Sequence, residues 1–161
     1  MSISIGDRIP DIEIKTMGPE GAPVPIRTGH ALGTGKVVLF AVPGAFTPGC
    51  SKVHLPGFVL QADELKAKGI DTIACVSVND AWVMDAWGEA QGVGDKILLL
   101  ADGSGEFTKA MGLELDGTGF GLGARSQRYA AVIEDGVVTS LDIETGPGIS
   151  VSSCEAVLGK L

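Results

Sequence analysis

The sequence predicts an α/β fold in which a central mixed β-sheet is flanked by helices. Three observations predict it. Two apolar runs, residues 36–42 (KVVLFAV) and 71–78 (DTIACVSV), have the continuity of strands buried on both faces, as parallel strands lying under helices are. Each is followed by a stretch in which apolar residues recur at helical spacing. Near the carboxyl end, Asp135-Gly136 separates two further apolar segments, a residue pair suited to a tight antiparallel hairpin.

Taken in order, residues 11–15 alternate apolar with polar side chains and predict a short strand, and the Pro/Gly-rich stretch 18–25 predicts a turn or hairpin loop. The run 36–42, bounded by Gly35 and Pro43, is the expected central strand. It leads into Pro43-Gly44-Ala45-Phe46-Thr47-Pro48-Gly49-Cys50. A helix is predicted from there to about Lys68, with Leu55, Phe58, Val59, Ala62 and Leu65 at spacings of three and four and Gly69 as its stop. Then come a strand at 71–78, a helix over about 80–90, a strand at 96–101 and a short helix over about 104–111. A glycine-rich loop, 116–123, precedes a hairpin of strands 129–134 and 137–143. The last element is an amphipathic helix from about Ser152, with Ser152 and Glu155 spaced as an S-x-x-E capping box. There is no internal repeat. Parallel strand-helix-strand units followed by an antiparallel hairpin and a terminal helix are the elements of a thioredoxin-like domain. At 161 residues the chain is expected to form one such domain.

Composition removes several functions. With 12 basic and 20 acidic residues the net charge is −8, a field that repels nucleic acid and anionic membranes. The amino terminus lacks the basic and apolar regions of a signal peptide, and no apolar run is long enough to span a bilayer. A soluble protein of a reducing compartment is expected: cytoplasmic, or organellar if a transit peptide has been removed. The cysteines, Cys50, Cys75 and Cys154, are odd in number and contain no C-x-x-C pair, which argues against a disulfide framework and a four-cysteine zinc site. Glycine, at 24 residues, is about twice its usual share of roughly 7%.

Cys50 falls at the join of the central strand and the following helix, where α/β sheets present ligand sites. A thiolate is the nucleophilic form of cysteine, and free backbone N–H groups at a helix start favour a negative sulfur. Thr47 can cap that helix or set its hydroxyl beside the sulfur, while Pro43 and Pro48 stiffen the loop and remove two donors. Taken alone, T-x-x-C is equally a helix start with a buried, inert thiol.

The wider segment PGAFTPGCSKVHLPGF, residues 43–58, resembles the active-site segment of the peroxiredoxin family, whose core pattern is P-x-x-x-T-x-x-C. It is most similar to the type II, atypical two-cysteine branch. The similarity continues through residues 74–87, 99–116 and 121–138, nearly the whole chain. The resemblance implies a thiol peroxidase that reduces hydrogen peroxide and small alkyl hydroperoxides without metal or other cofactor. By motif, Cys50 is the peroxidatic cysteine, Thr47 binds the peroxide, Pro43 shields the sulfenic acid and Arg128 completes the pocket. Phe46, Gly49 and Phe120 are expected around it. Gly49 departs from the family's usual threonine, and the added backbone freedom is expected to speed unwinding around Cys50. Glutathione with glutaredoxin, or thioredoxin, is the implied reductant, and a homodimer the implied assembly.

The remaining residues leave alternatives open. His54, one helical turn after Cys50, could pair with the sulfur or hydrogen-bond locally. Arg125 is either solvated or a supporting charge. Cys75 and Cys154 are candidate resolving cysteines, or a core thiol and an exposed idle one. Trp82 and Trp87 suit core or interface positions better than catalysis. Residues 119–124 match G-x-G-x-x-A superficially, but they precede a strand rather than open a helix, which removes the dinucleotide reading. A redox sensor, in which Cys50 oxidation signals to a partner without sustained turnover, is the alternative to an enzyme. A general disulfide oxidoreductase is disfavoured, because Thr47 stands where the first cysteine of C-x-x-C would be.

Overall fold

A computed structural model describes residues 2–161. Strands β1 (Glu13–Met17) and β2 (Pro23–Arg27) form an opening hairpin, followed by a short α1 (Thr28–Ala31) and the central strand β3 (Lys36–Val42). A π-helical turn, Cys50–His54, runs into α2 (Leu55–Leu60) and α3 (Ala62–Ala67). Next come β4 (Thr72–Ser77), α4 (Ala81–Ala90), β5 (Leu98–Ala101) and α5 (Glu106–Met111). A two-stranded ribbon of β6 (Glu114–Asp116) and β7 (Ala124–Ser126) precedes the hairpin β8 (Tyr129–Glu134) and β9 (Val137–Ile143), and α6 (Cys154–Leu158) ends the fold.

Seven strands form one sheet in the order β2-β1-β5-β4-β3-β8-β9. β3 runs parallel to β4 and antiparallel to β8, with Phe40 opposite both Cys75 and Ala130. Period-two alternation divides the core between the two faces. Val38, Phe40 and Val42 join one buried cluster with Leu55, Phe58, Leu65 and Trp87, whereas Val37, Leu39 and Ala41 join the other with Phe107, Met111 and Tyr129. The α/β, thioredoxin-like architecture with a mixed central sheet is therefore present. Among the described residues, no helix is long and apolar enough to cross a membrane.

Five local expectations are corrected. The first strand lies two residues later, and the stretch expected to be loop contains β2. Pro23 and Pro25 are tolerated there because β2 is an edge strand, where a missing N–H need break no ladder bond. The single helix expected from the Cys50 loop to Lys68 is broken at Gln61 (φ −107°, ψ 13°) and opens with a π turn, in which the Leu55 N–H bonds the Cys50 carbonyl five residues back. Pro56 explains the wide turn: without an N–H it cannot donate to the Lys52 carbonyl, so ordinary α-helical bonding lapses there. The glycine-rich loop is the tip of the β6-β7 ribbon and includes a 3₁₀ turn at Thr118–Phe120. The last helix is capped by Ser153, which accepts from the Ala156 N–H at 3.1 Å, and not by Ser152, whose hydroxyl donates to Glu144.

Candidate active site

The chain leaves β3 after Val42 and turns at Gly44–Thr47, where the Thr47 N–H meets the Gly44 carbonyl at 3.4 Å. Phe46 holds φ at 63°, a left-handed conformation that costs a bulky L-residue about 1–3 kcal/mol. This turn folds Thr47 back so that its hydroxyl donates to the Gly44 carbonyl at 2.7 Å. Asn79, in the loop after β4, accepts from the Ala45 N–H at 2.9 Å and from the Ser77 hydroxyl, tying the turn to the neighbouring strand. Trp87 of α4 donates its indole N–H to the Ser51 hydroxyl at 2.9 Å, so the π turn is braced from a second element. Neither tether was visible in the sequence, where Asn79 falls between a predicted strand and helix and Ser51 at the start of a predicted helix.

Cys50 is fully buried in the chain. Arg128, immediately before β8, donates from Nη2 to its Sγ at 3.2 Å. The other arm, Nη1, meets His54 Nδ1 at 2.9 Å. A guanidinium has no acceptor, so Nδ1 must carry the lone pair and Nε2 the proton. That proton is donated to the Ser152 carbonyl at 2.8 Å. Burial lowers the His54 pKa to about 4; the bond to Ser152 opposes this and the Arg128 charge adds to it. Phe40 and Phe58 pack against the imidazole, with ring centroids 5.0 and 5.6 Å away. His54 therefore pairs with Arg128 and Ser152, not with the sulfur. Neither expected alternative describes it: the partners are not local but lie 74 and 98 residues away in the chain.

A cavity of about 670 Å³ opens beside this group. Pro43, Thr47, Pro48 and Arg128 line one side, and Leu115, Leu122 and Phe120 of the ribbon line the other. Phe120 stands at the rim, 90% exposed, while Phe46 is 55% exposed and takes no part in the lining. The expectation that Phe46 lines the pocket is thus corrected: the left-handed turn directs the chain so that Thr47, and not Phe46, meets the cavity. Gly49 does not line it either. It lies under Arg128, where a Cβ would come 3.3 Å from Nη2 and 3.5 Å from Ile149 Cδ1. Its backbone is right-handed helical (φ −64°, ψ −40°), so alanine fits without backbone strain. Gly49→Ala gains about 0.4–1 kcal/mol through the unfolded state, but its Cβ sits closer than ordinary contact to Arg128 Nη2, which must shift by a few tenths of an ångström, so a net change in stability of less than about 1 kcal/mol is expected. Urea unfolding checks this.

Arg125 donates to the Leu122 carbonyl at 3.0 Å and to the Pro43 carbonyl at 3.4 Å, so it joins the ribbon to the Cys50 loop instead of standing in solvent. The other two thiols are both buried. Burial pushes the Cys75 thiol well above its ordinary value, and proximity to Cys50 adds to this. Burial also pushes Cys154 up to about 12, helped by Glu64 and Glu155, which corrects the exposed reading of this residue. Of the two tryptophans, Trp87 is core and Trp82 is 62% exposed.

Sulfur-based redox chemistry on a thioredoxin-like sheet is the class that this arrangement defines. The family model described as Redoxin matches residues 4–158. The chain is 51% identical over 163 residues to the chloroplastic peroxiredoxin-2E of Arabidopsis thaliana, covering 99% of this chain and 70% of that protein. To peroxiredoxin-2B of the same plant it is 46% identical over 160 residues, covering 99% and 98%. A crystal structure of reduced Prx3 from Vibrio vulnificus in complex with H₂O₂ superposes with a TM-score of 0.93 at 52% identity, covering 98% of each chain. The chain belongs to the redoxin family and, within it, to the peroxiredoxins, which are thiol-dependent peroxidases.

Proposed function

We propose that Cys50 is the sulfur that attacks peroxide, that hydrogen peroxide and small alkyl hydroperoxides are the substrates, and that Arg128, Thr47 and Pro43 form the catalytic pocket. The observation that carries this reading is Arg128, which lines the cavity and reaches the buried Cys50 Sγ at 3.2 Å. The Cys50 thiolate attacks one peroxide oxygen, forming the S–O bond as the O–O bond breaks. Sulfur is oxidised by two electrons to sulfenic acid, and the departing hydroxide or alkoxide takes a proton to leave as water or alcohol. The Arg128 N–H groups stabilise the charge that moves along the breaking bond. Thr47 commits its proton to Gly44, so its oxygen lone pair is what the cavity receives, and it accepts from the O–H of the peroxide. The leucine side chains of the ribbon provide apolar contact for an alkyl group.

External thiols fit the resolving step best. The attacking species is a thiolate, and burial disfavours that form at both Cys75 and Cys154. Glutathione with glutaredoxin, or thioredoxin, is the reductant this reading names. Phe46 and Trp82 follow the carboxyl ends of β3 and β4, and with Phe120 they supply the exposed aromatic anchors of a homodimer face. A cytoplasmic or organellar location belongs to the same reading.

A steady-state assay with peroxide and each reducing system tests it. Sustained turnover in wild type that vanishes in Cys50→Ser is expected. Turnover retained in Cys50→Ser would overturn the assignment of Cys50, and one stoichiometric oxidation followed by silence in every reducing system would favour a sensor. Peptide mapping after one equivalent of peroxide adds the resolving route: a sulfenic acid at Cys50 is expected, whereas a Cys50–Cys75 or Cys50–Cys154 bridge would overturn external resolution.

A further inference from the structure

Segment 144–152, between β9 and α6, has no regular secondary structure and two glycines, yet it closes around one carboxylate. Glu144 Oε2 accepts from the Ser150 N–H at 2.8 Å, the Ser152 N–H at 2.9 Å and the Ser152 hydroxyl at 2.7 Å, while Oε1 accepts from the Ser150 hydroxyl at 3.1 Å. The Glu144 N–H also donates to the Arg128 carbonyl at 2.9 Å. The same Ser152 whose N–H and hydroxyl meet the carboxylate presents its carbonyl to His54 Nε2, and His54 presents Nδ1 to Arg128. Arg128 is thus held at both ends by one segment: by its backbone directly, and by its guanidinium through Ser152 and His54.

We infer that Glu144 is a positioning residue for the peroxide reaction, acting through Ser152 and His54 to hold the Arg128 guanidinium against Cys50. The inference rests on the reading of Cys50 and Arg128 proposed above. The physical reason lies in the imidazole tautomer. With the Ser152 carbonyl in place, the proton stays on Nε2 and Nδ1 remains an acceptor. If the carbonyl withdraws, a buried N–H loses its partner, and the ring relieves this by moving its proton to Nδ1 or by turning over. Either change can set a donor against the Arg128 donor and drive the guanidinium off the sulfur. Four hydrogen bonds to one carboxylate hold the serine backbone against that movement. Burial pushes the Glu144 carboxyl up, but the bonds from Ser152 and Ser150 outweigh it and keep the group below its usual value, so it is ionised when the cage is closed. A simple loop staple would need none of the onward contacts.

Single-turnover oxidation of Cys50 by hydrogen peroxide tests this without involving the reductant. Glu144→Ala is expected to lower the second-order rate constant about tenfold, since small displacements of a reacting group can cost up to about 10²-fold. Glu144→Gln, which keeps acceptor capacity on one atom, is expected to fall between, and it serves alone if the alanine variant does not fold. The decisive measurement is non-additivity. In a His54→Leu background, Glu144→Ala or Glu144→Gln should produce less than a twofold further change, because the contact through which Glu144 acts is gone. An unchanged rate with a lowered unfolding midpoint, or the full loss repeated in the His54→Leu background, would overturn the inference while leaving the Cys50 assignment intact. Failure of the Cys50 assignment would instead show as wild-type oxidation that persists in Cys50→Ser.

Discussion

Replacing Arg128 with methionine is expected to slow oxidation of Cys50 by peroxide about 10²–10³-fold, the loss typical when a preorganised donor is removed from a site of developing charge. Methionine keeps much of the chain length and packing but removes both N–H contacts, one to Cys50 Sγ at 3.2 Å and one to His54 Nδ1 at 2.9 Å. Arg128→Lys is expected to recover little. A single ammonium group cannot span sulfur and imidazole as the forked guanidinium does. Stopped-flow fluorescence is a suitable readout, because Trp87 hydrogen-bonds Ser51, the residue next to Cys50. A rate for Arg128→Met within threefold of wild type would remove Arg128 from the mechanism. Loss of the His54 partner also leaves a buried acceptor unmet, at a cost of about 1–3 kcal/mol, so a lowered unfolding midpoint should accompany the rate effect.

Acidification provides the second large effect. His54 has a folded-state pKa lowered to about 4 from an ordinary 6.5, chiefly by burial. Over that interval the unfolded chain binds a proton that the folded chain refuses, so stability rises with pH across it. The contribution is fully present above about pH 6.5 and is lost as the pH falls toward about 4. At about 1.4 kcal/mol per pH unit, the full loss is about 3 kcal/mol. Urea unfolding at a series of pH values should show this slope in wild type and a flatter one in His54→Gln, whose amide can accept from Arg128 and donate to Ser152. Parallel curves for the two proteins would assign the acid sensitivity to other groups. The same protonation abolishes the acceptor that holds Arg128, so the peroxide rate should decline at the acid end of the interval before the chain unfolds.

The central strands β3 and β4 were readable because burial on two faces leaves a continuous apolar run, and β3 appears where that run lies. The position of Cys50 at the strand's carboxyl end was readable for the same reason. The break between α2 and α3, and the π turn before it, were not: helical spacing of apolar residues persists through both, and only the backbone angles and the missing Pro56 donor separate them. Pro23 and Pro25 marked a loop until the edge position of β2 made them compatible with a strand. Ser152 and Ser153 are adjacent and chemically alike as helix caps, and the choice between them was made by a carboxylate eight residues before Ser152.

Residue order alone established the alternating α/β architecture and the place of Cys50 at the carboxyl end of the central strand, because these follow from local periodicity, and the candidate chemistry followed from the resemblance of a segment contiguous in the chain. Tertiary structure decided what each side chain meets. Arg128 reaches Cys50 across 78 residues and His54 across 74, and His54 reaches Ser152 across 98. Hydrogen bonds form only within about 3 Å and over a narrow range of angles, so such pairings are created by how the sheet stacks its strands and leave no spacing to read. That is also why His54, placed one turn from the sulfur, serves the arginine instead, and why Glu144 carried no signal until the loop was seen closed around it.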